Sequence, residues 1–433
     1  MKGLHNTQTI GALALGAVAC LISVNSVQAA EVTGSVNARV GYSDNLLQDA
    51  NDGEDTLVTS AGFALVASEE TRRIVADVNT AFDYLNYDSD RVDNEWVGGF
   101  NGNLTISVIP ERLSWMVRDS FGQQTADLFG APNAGNRQDV NFFTAGPTLQ
   151  LLPVGRNQLS INARYNQIDF ELQDTDSERI SVAAEFERTV GANSAFSLQA
   201  ISEDIDVDGQ LNEIRRQQAS VGYRIAGNRT NISTRLGYTR FENGPDEDEG
   251  LLAQLDISRD VSANGVLTFS GGTRYSDQGD IFRNLQDTAE QIARTAVAVQ
   301  TGQQFRDTNA AMSYVLATER TRINTRLAWS DEEFDGRSDL DNSSTRFRVS
   351  VRRELTRRLW VRAQMNFIDR DFGRLGRADK DLNGSLAGGV EFGRGVELSL
   401  EYTYRDRSST NDLASFHENA VFLRIGYTPR WAQ

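Results

Sequence analysis

The sequence predicts an all-β protein: a transmembrane antiparallel up-and-down β-barrel of about 20 strands (18–20), with short periplasmic turns and long acidic extracellular loops. Three observations carry this expectation. Apolar residues alternate with period two along most of the chain. The connectors between the alternating runs switch regularly between tight and long. Aromatic residues stand at the ends of the apolar faces, where a lipid–water boundary would lie.

Composition bounds the alternatives. The chain has 433 residues, a net charge of −17, 39% hydrophobic residues, 36 Gly, 6 Pro and 1 Cys. Its pI near 4.7 argues against a nucleic-acid partner, which needs a basic footprint. A mean hydropathy of −0.43 excludes a bundle of membrane helices, each of which takes about 20 mostly apolar residues. It does not exclude a barrel, which needs apolar side chains only at every second strand position.

The first element is a targeting segment. Lys2 precedes an apolar run at 11–24, and Val27, Gln28 and Ala29 end in small residues at −3 and −1. This describes a secretory signal peptide, residues 1–29, cut after Ala29. The run is short for a retained anchor. A lipoprotein site at Cys20 is disfavoured by Ala17 and by the apolar residues that follow the cysteine. Residues 30–433 then form one barrel domain with no cysteine, hence no disulfide or thiolate metal site, and with His417 as its one histidine.

The strands begin at once. Val32, Gly34, Val36, Ala38, Val40 and Tyr42 fall on one face, and Thr33, Ser35, Asn37, Arg39 and Gly41 on the other. Successive strand side chains point to opposite sides, so this strand has one apolar and one wet face. The pattern recurs through Val78/Phe82/Tyr84, Leu159/Ile161/Tyr165, Leu236/Tyr238, Leu327/Trp329, Val349/Val351 and Leu400/Tyr402, ending on Val421/Leu423/Ile425/Tyr427. A helix-like patch at 280–297 interrupts it. The fifth strand fits poorly, because its apolar face carries Asp119, and the ninth lacks an outer aromatic.

Tight connectors lie at 68–71, 109–112, 153–156, 227–229, 262–265, 318–320 and 393–395. Long acidic ones lie at 46–56, 88–95, 171–178, 242–250 and 330–341. Long–short alternation over an even number of strands puts both chain ends on the periplasmic side. A soluble sandwich or propeller would also alternate, but nothing in the chain could cover so continuous an apolar face. Tyr42, Tyr84, Tyr165, Tyr238, Tyr275, Trp329, Phe367 and Tyr404 suit an outer aromatic belt, and Phe186, Tyr223, Tyr314, Phe392 and Tyr427 a lower one. Prolines keep to connectors apart from Pro147, which forfeits a ladder hydrogen bond inside a strand and marks a bulge or break.

The charge is segregated. The outer connectors hold most of the acid, whereas the positions facing away from lipid carry arginine, with Lys2 and Lys380 the two lysines of the chain. Candidate lumen-lining residues are Arg39, Arg118, Arg164, Arg235, Arg274, Arg326, Arg348 and Arg362, with Asn101, Asn324 and Gln364 among them. Arginine forks pair with carboxylates and phosphates, and amides match sugar hydroxyls, so such a wall suits a hydrated polymer, neutral or acidic. A salt-bridged polar lumen common to any such barrel is the plainer reading. The acidic run 49–55 is one residue short of an EF-hand spacing and reads as a solvated loop; no metal or cofactor is expected.

The residues Gly41-Tyr42-Ser43-Asp44-Asn45-Leu46, Phe82-Asp83-Tyr84-Leu85-Asn86-Tyr87 and the strand Val140-Asn141-Phe142-Phe143-Thr144-Ala145-Gly146-Pro147-Thr148-Leu149 resemble an outer-membrane β-barrel porin family associated with exopolysaccharide biosynthesis and export gene clusters. The resemblance implies an outer-membrane channel through which polysaccharide leaves a Gram-negative cell. The expected partners are the polysaccharide, outer-membrane lipid and lipopolysaccharide, and periplasmic polysaccharide-export components. The segment 278–303 could plug or gate such a lumen. A general porin for small solutes and a structural or adhesive barrel are the competing readings. An enzyme would need its histidine paired with an acid or nucleophile, and His417 beside Glu418 offers no recognisable motif, so no enzymatic activity is expected.

Overall fold

A computed structural model describes residues 31–429, apart from 52, 128, 154, 210, 211, 278, 279 and 281–302. The expected signal segment and nearly all of the expected plug at 278–303 lie outside the described residues.

Twenty strands follow in chain order. They begin with β1 (Glu31–Ser43), β2 (Thr56–Glu70), β3 (Ile74–Tyr87), β4 (Glu95–Ile109), β5 (Leu113–Thr125), β6 (Arg137–Leu152) and β7 (Asn157–Phe170). Next are β8 (Ser177–Gly191), β9 (Ser194–Val207), β10 (Ile214–Ala226), β11 (Thr230–Asn243), β12 (Asp246–Ser262), β13 (Gly265–Ser276) and β14 (Phe305–Ala317). The last are β15 (Thr321–Phe334), β16 (Asn342–Glu354), β17 (Leu359–Phe372), β18 (Arg377–Phe392), β19 (Val396–Ser409) and β20 (Phe416–Tyr427). Each pairs antiparallel with the next, and β1 pairs with β20 from Val36↔Tyr427 to Ser43↔Ala420. The sheet therefore closes on itself, and closure leaves no edge strand with unmet backbone groups. The strand number resolves at 20.

Outward faces follow the period-two reading. Val36, Val40 and Tyr42 on β1 are exposed, as are Leu398, Leu400 and Tyr402 on β19 and Val421, Leu423, Ile425 and Tyr427 on β20. Tyr84 and Trp96 pack 5.3 Å apart in the outer belt. Asp119 does sit on the outward face, paired in register with Phe143 and Gly102. Register shifts fall at the inner rim, in β4, β6, β8 and β12, where bulges let a barrel end its pairing.

Pro147 marks a break. The β6–β7 ladder is interrupted between Ala145↔Tyr165 and Thr148↔Asn162 without a change of register. Gly146 approaches so closely there that a Cβ would lie 2.0 Å from the Ala163 carbonyl oxygen.

Two expectations are corrected. The acidic stretch 242–250 is not a long loop: β11 and β12 run up to a turn at Gly244-Pro245, with Gly244 at φ 60°. Its acids stand on strands that project as a hairpin, where Arg240 pairs with Glu242 at 3.2 Å and Glu247 at 2.6 Å. Cross-strand charge neutralisation makes such an acidic hairpin tolerable. Tyr275, expected in the outer belt, is 5% exposed, its ring 5.0 Å from Phe241. The β12–β13 pairing begins at Ala253↔Thr273, and above that point the tyrosine packs over Gly250 instead of facing lipid.

Candidate functional site: a polar vestibule below an apolar closure

The inward face changes character along its length. Near the tight turns the inward side chains are exposed: Asp77 and Asn79 on β3, Arg224 on β10, Asn231 and Ser233 on β11, and Arg322, Asn324 and Arg326 on β15. Toward the long connectors they are buried: Leu85 and Tyr87 on β3, Ile214 and Arg216 on β10, Thr239 and Phe241 on β11, and Phe334 on β15. Among the described residues, inward side chains are thus open at the inner half of the lumen and packed at the outer half.

The filling is apolar at its centre. Val140, Phe142, Ile168 and Phe170 from β6 and β7 form one contiguous cluster with Phe305, Phe334, Leu340 and Phe372 from the far side of the barrel. Phe129, in the β5–β6 connector, packs against it, its ring 5.2 Å from that of Phe372. That connector is held from across the mouth. Arg377 Nη2 donates to the Phe129 carbonyl at 2.8 Å, and Arg407 Nη1 to the Gly130 carbonyl at 3.0 Å. Each guanidinium also holds a carboxylate, Asp379 for Arg377 and Asp381 for Arg407. Asn133 donates to the Leu47 carbonyl, tying in the β1–β2 connector.

A buried ion cluster completes the outer half. Arg179 on β8 and Arg216 on β10 both contact Glu203 on β9, at 3.2 and 3.4 Å. Arg179 reaches Asp277 at 2.7 Å and Arg216 reaches Asp280 at 2.5 Å. The chain leaving β13 therefore turns into the lumen and is fastened on strands three to five positions away. Sequence reading missed this cluster. Its one available signal was that Arg179 and Arg216 share the inward phase of β8 and β10.

The eleven candidate residues all occupy inward positions, with different surroundings. Arg39 lies over the Phe422 ring at 4.4 Å, and Arg362 pairs with Glu401 at 3.2 Å. Both line a cavity of about 250 Å³ near the inner end, shared with Asp83, Arg352, Trp360 and Arg424. Arg352 stacks over Trp360 at 4.6 Å, and the indole Nε1 donates to Glu397 at 3.3 Å. Gln364 donates to Ser350 at 3.3 Å. Arg326 and Asn324 are exposed to the lumen, and Arg348 stands opposite Arg326 in register. Asn101 and Arg118 lie on β4 and β5, and Arg235 on β11, all part-buried.

Two of the eleven are committed to the wall itself. Arg164 donates to the Pro147 carbonyl at 2.5 Å and to Thr148 Oγ1 at 2.6 Å, capping the ladder break. Arg274 pairs with Asp307, 3.3 Å away on the neighbouring strand. His417 and Glu418 do not form a dyad. His417 is exposed on the outward face of β20, whereas Glu418 is 2% exposed and accepts from Ser43, Gln48 and Arg405. Among the described residues, no group of three His, Cys, Asp or Glu side chains is arranged to hold a metal ion.

In the outer connectors, burial pushes the Asp335 carboxyl up to about 6, with Asp248 and Asp341 adding to the effect. The Arg337 guanidinium holds exposed Asp339 below the usual carboxylate range.

Residues 308–427 match the model of a family described as "Putative beta-barrel porin 2". No curated protein matches the sequence. Among solved structures, a ferric enterobactin receptor mutant from Pseudomonas aeruginosa aligns with TM-score 0.53 at 8% identity, over 93% of this chain and 81% of that one. The siderophore receptor PirA from Acinetobacter baumannii aligns with TM-score 0.51 at 9% identity, over 93% and 81%. At this identity the likeness concerns the barrel fold. The closed 20-strand sheet, its lipid-facing belts and the porin-family match make this a porin-like β-barrel of the Gram-negative outer membrane.

Proposed function

We propose that this outer-membrane channel carries a secreted polysaccharide out of the periplasm. The observation that supports this reading is the gradient along the lumen: inward side chains are exposed at the inner end and buried at the outer end. A polymer could load into the vestibule from the periplasm before the outer closure yields. Arginine, asparagine and glutamine side chains along the vestibule supply the donors and acceptors that sugar hydroxyls and carboxylates need. Periplasmic export components would deliver the polymer to the rim formed by the tight turns.

Two measurements test the proposal together. Purified protein in planar bilayers should conduct once the connector at 126–136 is deleted. Deletion of the gene should abolish surface polysaccharide while leaving small-solute uptake unchanged. Loss of solute uptake with polysaccharide intact would replace export by a general porin, and a silent, connector-deleted protein would sink the channel.

A further inference from the structure

The inward faces of β15, β16 and β17 carry arginines in cross-strand register. Arg322 stands opposite Arg352, and Arg352 opposite Arg362, in one row; Arg326 stands opposite Arg348 in the next. Arg370 continues the series toward the outer end of β17. Like charges directly opposite one another on a sheet are destabilising, so the arrangement works against the fold unless something anionic offsets it.

Among the described residues, few carboxylates on these strands offset it. The carboxylates on these three inward faces, among the described residues, are Glu332 near the outer end and Glu354 at the inner rim. Arg362 has Glu401. Among the described residues, no carboxylate lies within ion-pair distance of Arg322, Arg326 or Arg352. Arg322 and Arg326 are exposed to the lumen, so their forks are hydrated and available. The rows are four residues apart, or about 13 Å along the strands, and they run along the axis a threading polymer would follow.

We propose that this face is a binding track for an acidic glycan, with the carboxylates of its uronate residues seated on the arginine rows. This deepens the export reading and rests on it. A guanidinium fork takes a carboxylate through two parallel hydrogen bonds, and a row of two or three neutralises one acidic residue of the chain while relieving its own repulsion. Because successive rows repeat the same chemistry, a bound acidic residue can pass from one row to the next. Trp360, stacked beneath Arg352, sits where its fluorescence reports occupancy of the inner row.

Oligogalacturonate titrated into the purified full chain in detergent tests this, followed by tryptophan fluorescence and calorimetry. Wild type should bind it with an affinity that falls as salt rises, and should bind a neutral dextran oligomer of equal length at least tenfold more weakly. The combined Arg322→Gln, Arg326→Gln and Arg352→Gln variant should lose at least tenfold in affinity for oligogalacturonate. Arg326→Gln alone, at an exposed position, should lose a few-fold and covers the case in which the triple variant fails to fold. Absence of binding by wild type, equal binding of dextran, equal binding of linear polyphosphate, or unchanged affinity in the variants would each overturn the assignment. Conductance of the same preparation separates the two readings: conductance without oligogalacturonate binding overturns the track alone, whereas binding does not depend on the outer closure having opened.

Discussion

Arg407 holds Asp381 through two contacts, Nε to Oδ1 at 2.5 Å and Nη2 to Oδ2 at 3.1 Å, while its remaining Nη1 donates to the Gly130 carbonyl. One guanidinium on β19 thus joins the barrel wall to a connector that crosses from β5. The pair is buried, with the arginine side chain 5% exposed. Removing one partner of a buried pair leaves the other charge unmet, at a cost of about 3–5 kcal/mol. Arg407→Gln should therefore release the connector at 126–136. Proteolysis within that connector should accelerate and bilayer conductance should rise. Arg407→Lys keeps the charge but loses the fork, and should fall between the two.

The apolar closure should behave as a packed core even though it lies in a lumen. Phe372 is 0% exposed at its centre. Phe372→Ala should cost about 3–5 kcal/mol through lost burial and the cavity left behind, lowering the thermal midpoint in detergent. Phe367→Ala, on the outward face of the same strand, should change it far less. Cells carrying Phe372→Ala should also become more sensitive to bulky antibiotics that the intact outer membrane excludes.

Gly146 tests the ladder break. A methyl there would collide with the backbone oxygen of Ala163, which cannot move without disturbing β7. Gly146→Ala should reduce the yield of assembled barrel, seen as a loss of the folded, fast-migrating form on unheated detergent gels. Arg164→Met should be milder, because it removes the cap on the break and leaves the break intact.

Asp335 predicts a pH dependence of definite sign. Its carboxyl is raised to about 6 in the folded chain from an ordinary value near 4, so the fold prefers it protonated. The unfolded chain loses that proton first as pH rises, so the stabilisation is present below about pH 4 and is lost between about 4 and 6. The group is only partly buried, and solvent screening limits the effect to roughly 1 kcal/mol. Asp335→Asn should raise the thermal midpoint at pH 7.5 and leave it unchanged at pH 4. A variant less stable than wild type at pH 7.5 would contradict the sign.

Much of this protein could be read in one dimension. The phase of each strand was legible from neighbours two residues apart, and it assigned Arg39, Arg326, Arg362 and Gln364 to the inward face and Asp119 to the outward one. The height of the strands was less legible. Acidic residues at 242–250 read as a solvated loop because acids disfavour strands in isolation, whereas the facing Arg240 allows β11 and β12 to continue past the membrane. Arg164 and Arg274 read as lumen lining, and the inward phase was right; their hydrogen-bonding partners lie on neighbouring strands and depend on register.

The outer closure was not legible. Val140, Phe142, Phe334 and Phe372 were not singled out as inward apolar residues, because their partners lie on the opposite side of the barrel and no spacing along the chain marks them. Period two is a local property of extended backbone, so the sequence by itself determined the barrel, the face each side chain takes and the segregation of arginine from acid. Contacts across a lumen depend on strand number, stagger and closure. Only the tertiary structure decided that, among the described residues, the inner half is an exposed, arginine-rich vestibule and the outer half a packed closure built of an apolar cluster and buried ion pairs.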